Sequence, residues 1–177
     1  MRAAKFVFIT GLLLFFVGIM SLLLAIALPW WACKEYDIFG TLWKVNDGLW
    51  KACQKTVGPV HGNEKICITH TEPENYLTTT RSLLSFALIL MGAGTLAVVV
   101  QKWCLKEMIL LGFLGSIVVC VAGVLSWIAT VHYAEKYVEI PGNHPDDITA
   151  CWAMALSASS CCFLSGLLFA SRKICAA

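Results

Sequence analysis

The chain has 177 residues, of which 59% are hydrophobic and 14% charged, against roughly 45–50% and about 25% in a soluble domain. One soluble core of this size cannot bury that much apolar surface, so the composition calls for the bilayer as solvent. The net charge of +2 is too small to argue for nucleic acid, and no basic stripe is interleaved with aromatics.

Four windows predict membrane-spanning helices: 6–28, 82–100, 108–130 and 148–170. Each has about the twenty residues that a tilted helix needs to cross roughly 30 Å of hydrocarbon. None contains Asp, Glu, Lys or Arg, and in lipid the backbone of such a segment pairs internally only as a helix. The first window follows Arg2 and Lys5, as a signal peptide would. Its apolar run exceeds the 7–15 residues of a typical signal core, and it ends in Pro29-Trp30-Trp31 rather than in a small-residue cleavage site. It is therefore expected to remain as a helix. Gly11 and Gly18 lie seven residues apart on one of its faces, a pattern that lets a neighbouring helix approach. Pro29 ends it, and Trp30 and Trp31 then fall at headgroup level, where amphipathic rings anchor.

The next stretch, 29–81, mixes charges, aromatics and cysteines. Runs at 30–36, 41–45, 49–54 and 65–69 have strand character. Between them stand turn signals, among them Asn46-Asp47-Gly48, a good hairpin indication. A small antiparallel sheet is expected, too small to be stable alone. Cys53 and Cys67 are expected to staple it, closing a loop worth roughly 3 kcal/mol in the chain-entropy model. The second window contains Met91-Gly92-Ala93-Gly94, and the third contains Gly112, Gly115, Ala122 and Gly123; both are candidate close-packing sites. Their connection is about seven residues long, so the two helices should be antiparallel neighbours. In the second outer stretch, 131–147, residues 137–140 are expected to add an edge strand to the sheet. The fourth window is rich in Ala and Ser, which suggests close helix contacts.

Orientation follows from the bias of Lys and Arg. The termini and the connection 101–107 carry Arg2, Lys5, Lys102, Lys106, Arg172 and Lys173 against one acid, Glu107. Both termini should be cytoplasmic, with 29–81 and 131–147 on the opposite, oxidising side, where disulfides persist.

The order of landmarks is Trp31, then Gly48-Leu49-Trp50, then Cys53 and Cys67, then Arg81 at the mouth of the second helix. In a four-helix frame with a larger first loop, this resembles the claudin superfamily: claudins, peripheral myelin and epithelial membrane proteins, the lens fibre membrane protein and calcium-channel gamma subunits. Pro29-Trp30-Trp31, Thr80-Arg81-Ser82-Leu83 and Ser126-Trp127 are most like a divergent claudin. The resemblance implies one claudin-like domain over 1–177, a left-handed four-transmembrane-helix bundle carrying a small extracellular antiparallel β-sheet. It also implies that Arg81 bonds the backbone of the Gly-Leu-Trp motif; read alone, Arg81 could equally snorkel to the interface. Some features depart from the family pattern. Thirteen residues separate Cys53 from Cys67, the fourth helix lacks a Gly-Trp, no Asn-x-Ser/Thr sequon occurs, and Cys175-Ala176-Ala177 follows instead of a PDZ-binding tail.

Within this frame Trp31, Gly48, Leu49, Trp50 and Arg81 are structural candidates. Trp50 is expected to pack under the sheet and Gly48 to supply a backbone geometry that other residues resist. Cys33 and Cys151 are a candidate second bridge, although four outward cysteines leave three pairings open. Cys104 and Cys175, at the cytoplasmic border, are candidate palmitoylation sites. The loop charges include no single-sign cluster along the sequence, so no ion preference is predicted. No Gly-x-Ser-x-Gly, His-Glu-x-x-His or phosphate loop is present; no catalytic residue, cofactor or metal ligand is assigned. The expected function is non-enzymatic: cell–cell contact, or a paracellular barrier as in a tight junction. It would act at the plasma membrane, with lipids and with like or related four-helix proteins in cis and in trans as partners. The alternative is an auxiliary or trafficking subunit of a channel or receptor.

Overall fold

The computed structural model describes residues 2–38, 41–58, 62–71, 74–105 and 107–174. Helix α1 (Arg2–Ala27) leads into four strands, β1 (Ala32–Ile38), β2 (Thr41–Asp47), β3 (Lys51–Gly58) and β4 (Gly62–Thr69). Helices α2 (Asn75–Trp103) and α3 (Ile109–Glu139) follow, then a short 3-10 turn (Pro145–Asp147) and α4 (Ala150–Ile174). All four helices are long and apolar enough to cross a membrane. The strands form one antiparallel sheet in the order β1-β2-β3-β4. Residues 39–40 and 59–61, on which two of the expected turns fall, and Cys175 lie outside the described residues.

Helix α1 packs on α4, α4 on α3, and α3 on α2. Small residues set these seams. A Cβ on Gly94 would stand 2.8 Å from the Gly115 carbonyl oxygen, and one on Gly115 2.7 Å from that of Gly94, so the backbones of α2 and α3 meet there. A Cβ on Gly18 would meet Cys162 Sγ at 2.8 Å. Gly92 faces open space, so only one end of the Gly-Ala-Gly run is a packing site. Hydroxyls bridge the same seams: Ser126 and Ser159 share a hydrogen bond of 2.8 Å, and Ser165 donates to the Gly11 carbonyl. In lipid such bonds and close contacts hold helices together, because apolar burial no longer distinguishes a neighbour from solvent. The outer helix faces stay apolar and exposed, for example at Ile89, Leu96 and Leu110.

Two helices outrun their apolar windows on the side of the sheet. Helix α2 begins at Asn75 rather than at 82, and α3 continues to Glu139 rather than ending at 130. The edge strand expected at 137–140 is therefore absent; that segment closes α3. Once a helix is nucleated each further residue adds a hydrogen bond, and here the extension buries Tyr137, which stacks on Tyr133 at 5.8 Å. The sheet gains a different neighbour. Ile148 forms an isolated bridge to Ala32, and the Thr149 amide donates to the Trp31 carbonyl at 3.1 Å.

The main core runs from the junction of sheet and bundle down into the bundle. Its largest fully buried side chains include Trp31, Tyr133, Leu22, Leu49, Leu84 and Met91. Trp31 donates its indole N–H to the Ala25 carbonyl and meets Tyr133 edge-on at 4.8 Å. Of the two tryptophans expected at the interface, Trp31 is thus a core residue and Trp30 is the exposed one.

Candidate functional site

The turn Gly48-Leu49-Trp50 joins β2 to β3, so the expected strand 49–54 begins later, at Lys51. The Gly48 amide donates to the Lys51 carbonyl at 3.1 Å, and the Trp31 amide donates to the Asp47 carbonyl at 2.9 Å. Leu49 is driven into the core with 1% of its surface exposed, whereas Trp50 is 44% exposed. Leu49, not Trp50, is the plug beneath the sheet. Arg81 reaches from α2, donates Nε–H to the Leu49 carbonyl at 2.6 Å and lays its guanidinium 4.8 Å from the centre of the Trp50 ring. One side chain thereby fixes both the buried and the exposed residue of the turn.

Gly48 is required for space rather than for an unusual dihedral. A Cβ there would lie 2.5 Å from Pro29 Cα. Among the described residues the positive-φ glycine is Gly142, at φ 84°. The end of β4 is clamped to the same turn. The His70 amide donates to the Trp50 carbonyl, and its Nε2 lies 3.1 Å from Asp47 Oδ1 and 3.2 Å from the Gly48 carbonyl oxygen. Burial pushes the Asp47 carboxyl above the usual carboxylate range, and His70 beside it lowers it only part of the way back.

Cys53 and Cys67 face each other directly on β3 and β4 and form a disulfide. Cys33 and Cys151 are both free thiols, so the second bridge is not formed. Strand alternation gives the reason. Ala32 points into the core, which turns Cys33 to the other side of the sheet, while Cys151 is buried in the first turn of α4. Burial also raises the Cys33 thiol above its usual pKa, only partly offset by Lys44. Cys104 caps α2 as an exposed free thiol beside exposed Trp103.

The sheet has two unlike faces. One carries Ala32, Asp47, Ala52 and Ile68 along one rung, and Val45, Gln54 and Ile66 along the next. Its β1–β2 half covers the bundle over a cavity of about 200 Å³ lined by Lys34, Asp47, Glu74, Tyr76, Tyr137 and Asn143, among others. Its β3–β4 half overhangs, leaving Ile66 59% and Ile68 68% exposed beside Trp50. The other face carries the rung Cys33, Asn46, Cys53, Cys67 and, next to it, Glu35, Lys44, Lys55, Lys65. Three lysines separated in sequence are thus direct neighbours across three strands. Sequence reasoning found no single-sign cluster because it followed the chain. The signal was present nonetheless: once Cys53 opposes Cys67 in antiparallel strands, Lys55 must oppose Lys65.

The model of the PMP-22/EMP/MP20/Claudin family matches residues 5–169 of the chain. No curated protein matches it.

Proposed function

The chain belongs to the PMP-22/EMP/MP20/Claudin family, and from that premise we propose a claudin-like membrane protein that builds cell–cell contact or a paracellular barrier. In this reading it lies in the plasma membrane with both termini cytoplasmic, acts without enzymatic chemistry, and engages like or related four-helix proteins in cis and in trans through its outer sheet. The observation that carries the reading is the β4 edge. β4 is the last strand of the sheet, its side chains Ile66 and Ile68 are exposed, and Trp50 continues the apolar row. An open strand edge beside exposed apolar side chains is a template for association.

The test is expression in cells that lack junctions. Enrichment at cell contacts is expected, and Ile66→Asp with Ile68→Asp should abolish it while leaving surface delivery and the Cys53–Cys67 disulfide intact. Uniform distribution of the unaltered protein would sink the proposal and favour an auxiliary subunit of a channel or receptor. That second reading draws support from a groove of about 350 Å³ between α3 and α4, lined by Gly123, Val124, Trp127, Phe163 and Leu164 together with Ser159 and Ser160, where the small residues leave room for a partner helix.

A further inference from the structure

We propose that the sheet face opposite Ile66 and Ile68 is a docking surface for a linear sulfated polysaccharide, held by Lys55 and Lys65 with Lys44 and Lys51 beside them. The geometry carries this. Lys44 opposes Lys55, and Lys55 opposes Lys65. Adjacent strands stand about 4.8 Å apart, so three ammonium groups are set along a line of roughly 10 Å. Lys51 shares the face four residues along β3, about 13 Å away at the rise of a strand. Like charges directly opposite on a sheet are destabilising. Among the described residues one of these lysines is compensated: Lys44 pairs with Glu35 at 2.6 Å, and both are close to half exposed. Lys51, Lys55 and Lys65 are all exposed. An anion laid across Lys55 and Lys65 turns their mutual repulsion into attraction for itself.

The shape and chemistry of the face choose the kind of anion. Protein interfaces place aromatic and apolar anchors at their centre. Here one neighbouring rung consists of Cys33, Asn46 and the Cys53–Cys67 disulfide, the other carries Asp37 and a single exposed aliphatic, Leu42, and no aromatic ring lies on this face among the described residues. Tyr36 and Trp43 are paired with each other on the other face. The lysines sit on an open sheet rather than in a pocket, so a compact phosphate or a buried headgroup finds no enclosure. An extended chain with sulfates at intervals along its length matches a flat, spaced row of ammonium groups, each acting as a point charge.

Heparin serves as the probe. Full-length protein in neutral detergent should bind immobilised heparin and elute with increasing salt, as screened surface charges do. Lys55→Gln with Lys65→Gln should weaken binding by at least roughly tenfold. Lys55→Arg with Lys65→Arg should keep it, because the charges stay in place. Lys136→Gln, on α3 and already paired with Glu139, should change nothing. Intact disulfide and unchanged gel-filtration behaviour of the glutamine variant exclude a folding defect. Absence of heparin binding, or equal binding by the glutamine variant, overturns the proposal. So does competition by a polyglutamate peptide as strong as by heparin, which would identify an acidic protein segment as the occupant.

Discussion

At the scale of the residue, Asp47 shows how the fold places one group under opposing demands. Its backbone carbonyl is needed to receive the Trp31 amide, and its carboxylate reaches His70, which leaves it half-buried beneath the sheet. Burial raises its pKa above the ordinary value, with His70 acting the other way. A carboxyl whose native pKa lies above the unfolded one holds its proton more tightly in the folded state. It therefore favours folding at pH values below the ordinary carboxyl range, near about 3.9, and that advantage is lost as pH rises through the raised native value. Asp47→Asn has no such titration. Melting temperatures of the two proteins in detergent, compared from acid to neutral pH, should therefore show the variant gaining on the parent as pH rises. His70 faces the same carboxylate at 3.1 Å, so the comparison is repeated in a His70→Gln background. A difference that stays flat in both backgrounds would remove Asp47 from the account.

At the scale of the element, hydropathy located the lipid and not the helix ends. Windows 82–100 and 108–130 mark the apolar stretches of α2 and α3, but residues 75–81 and 131–139 are helical too. Those extensions carry Tyr76, Arg81, Tyr133 and Tyr137, which are the residues that hold the sheet. Residues 137–140 look like a strand by residue type, and packing of Tyr137 against Tyr133 overrides that preference, as tertiary context commonly does. The lysine rung was hidden for a different reason: neighbours across a sheet are set by register, and register depends on where each turn falls. Small-residue seams were legible in kind but not in position. Gly92 and Gly94 are equivalent on paper, yet Gly94 meets the Gly115 backbone and Gly92 meets nothing. Gly115→Leu should force α2 and α3 apart, at about 1–3 kcal/mol for overpacking, and lower the melting temperature measured by helical circular dichroism. Gly92→Leu should leave it unchanged. Equal effects would show that the seam does not run where these glycines place it.

At the scale of the whole molecule, two parts of different physical origin share one chain. The bundle is held by the bilayer and by seams of glycine, alanine and serine, whereas the sheet is four short strands with one partly exposed overhang. What joins them is a compact set of contacts: Trp31 with Ala25 and Tyr133, Arg81 with Leu49, and the Thr149 amide with Trp31. The sheet therefore depends on its staple in a way that the helices do not. The Cys53–Cys67 crosslink spans a sequence separation of 14, and a loop of that length is worth about 3 kcal/mol in the chain-entropy model, a large fraction of what so small a sheet can gather. Cys53→Ser and Cys67→Ser must be made together. Either single variant would leave a lone thiol on the sheet face; Cys33 shares the rung but stands two strands from Cys53 with Asn46 between them, about 10 Å away and beyond the reach of a disulfide. In the double variant the outer segment 32–69 should become sensitive to protease while helical circular dichroism and the thermal transition of the bundle persist. If both signals collapse together, sheet and bundle form one cooperative unit, and the contacts around Trp31 couple them more tightly than the disulfide stabilises either.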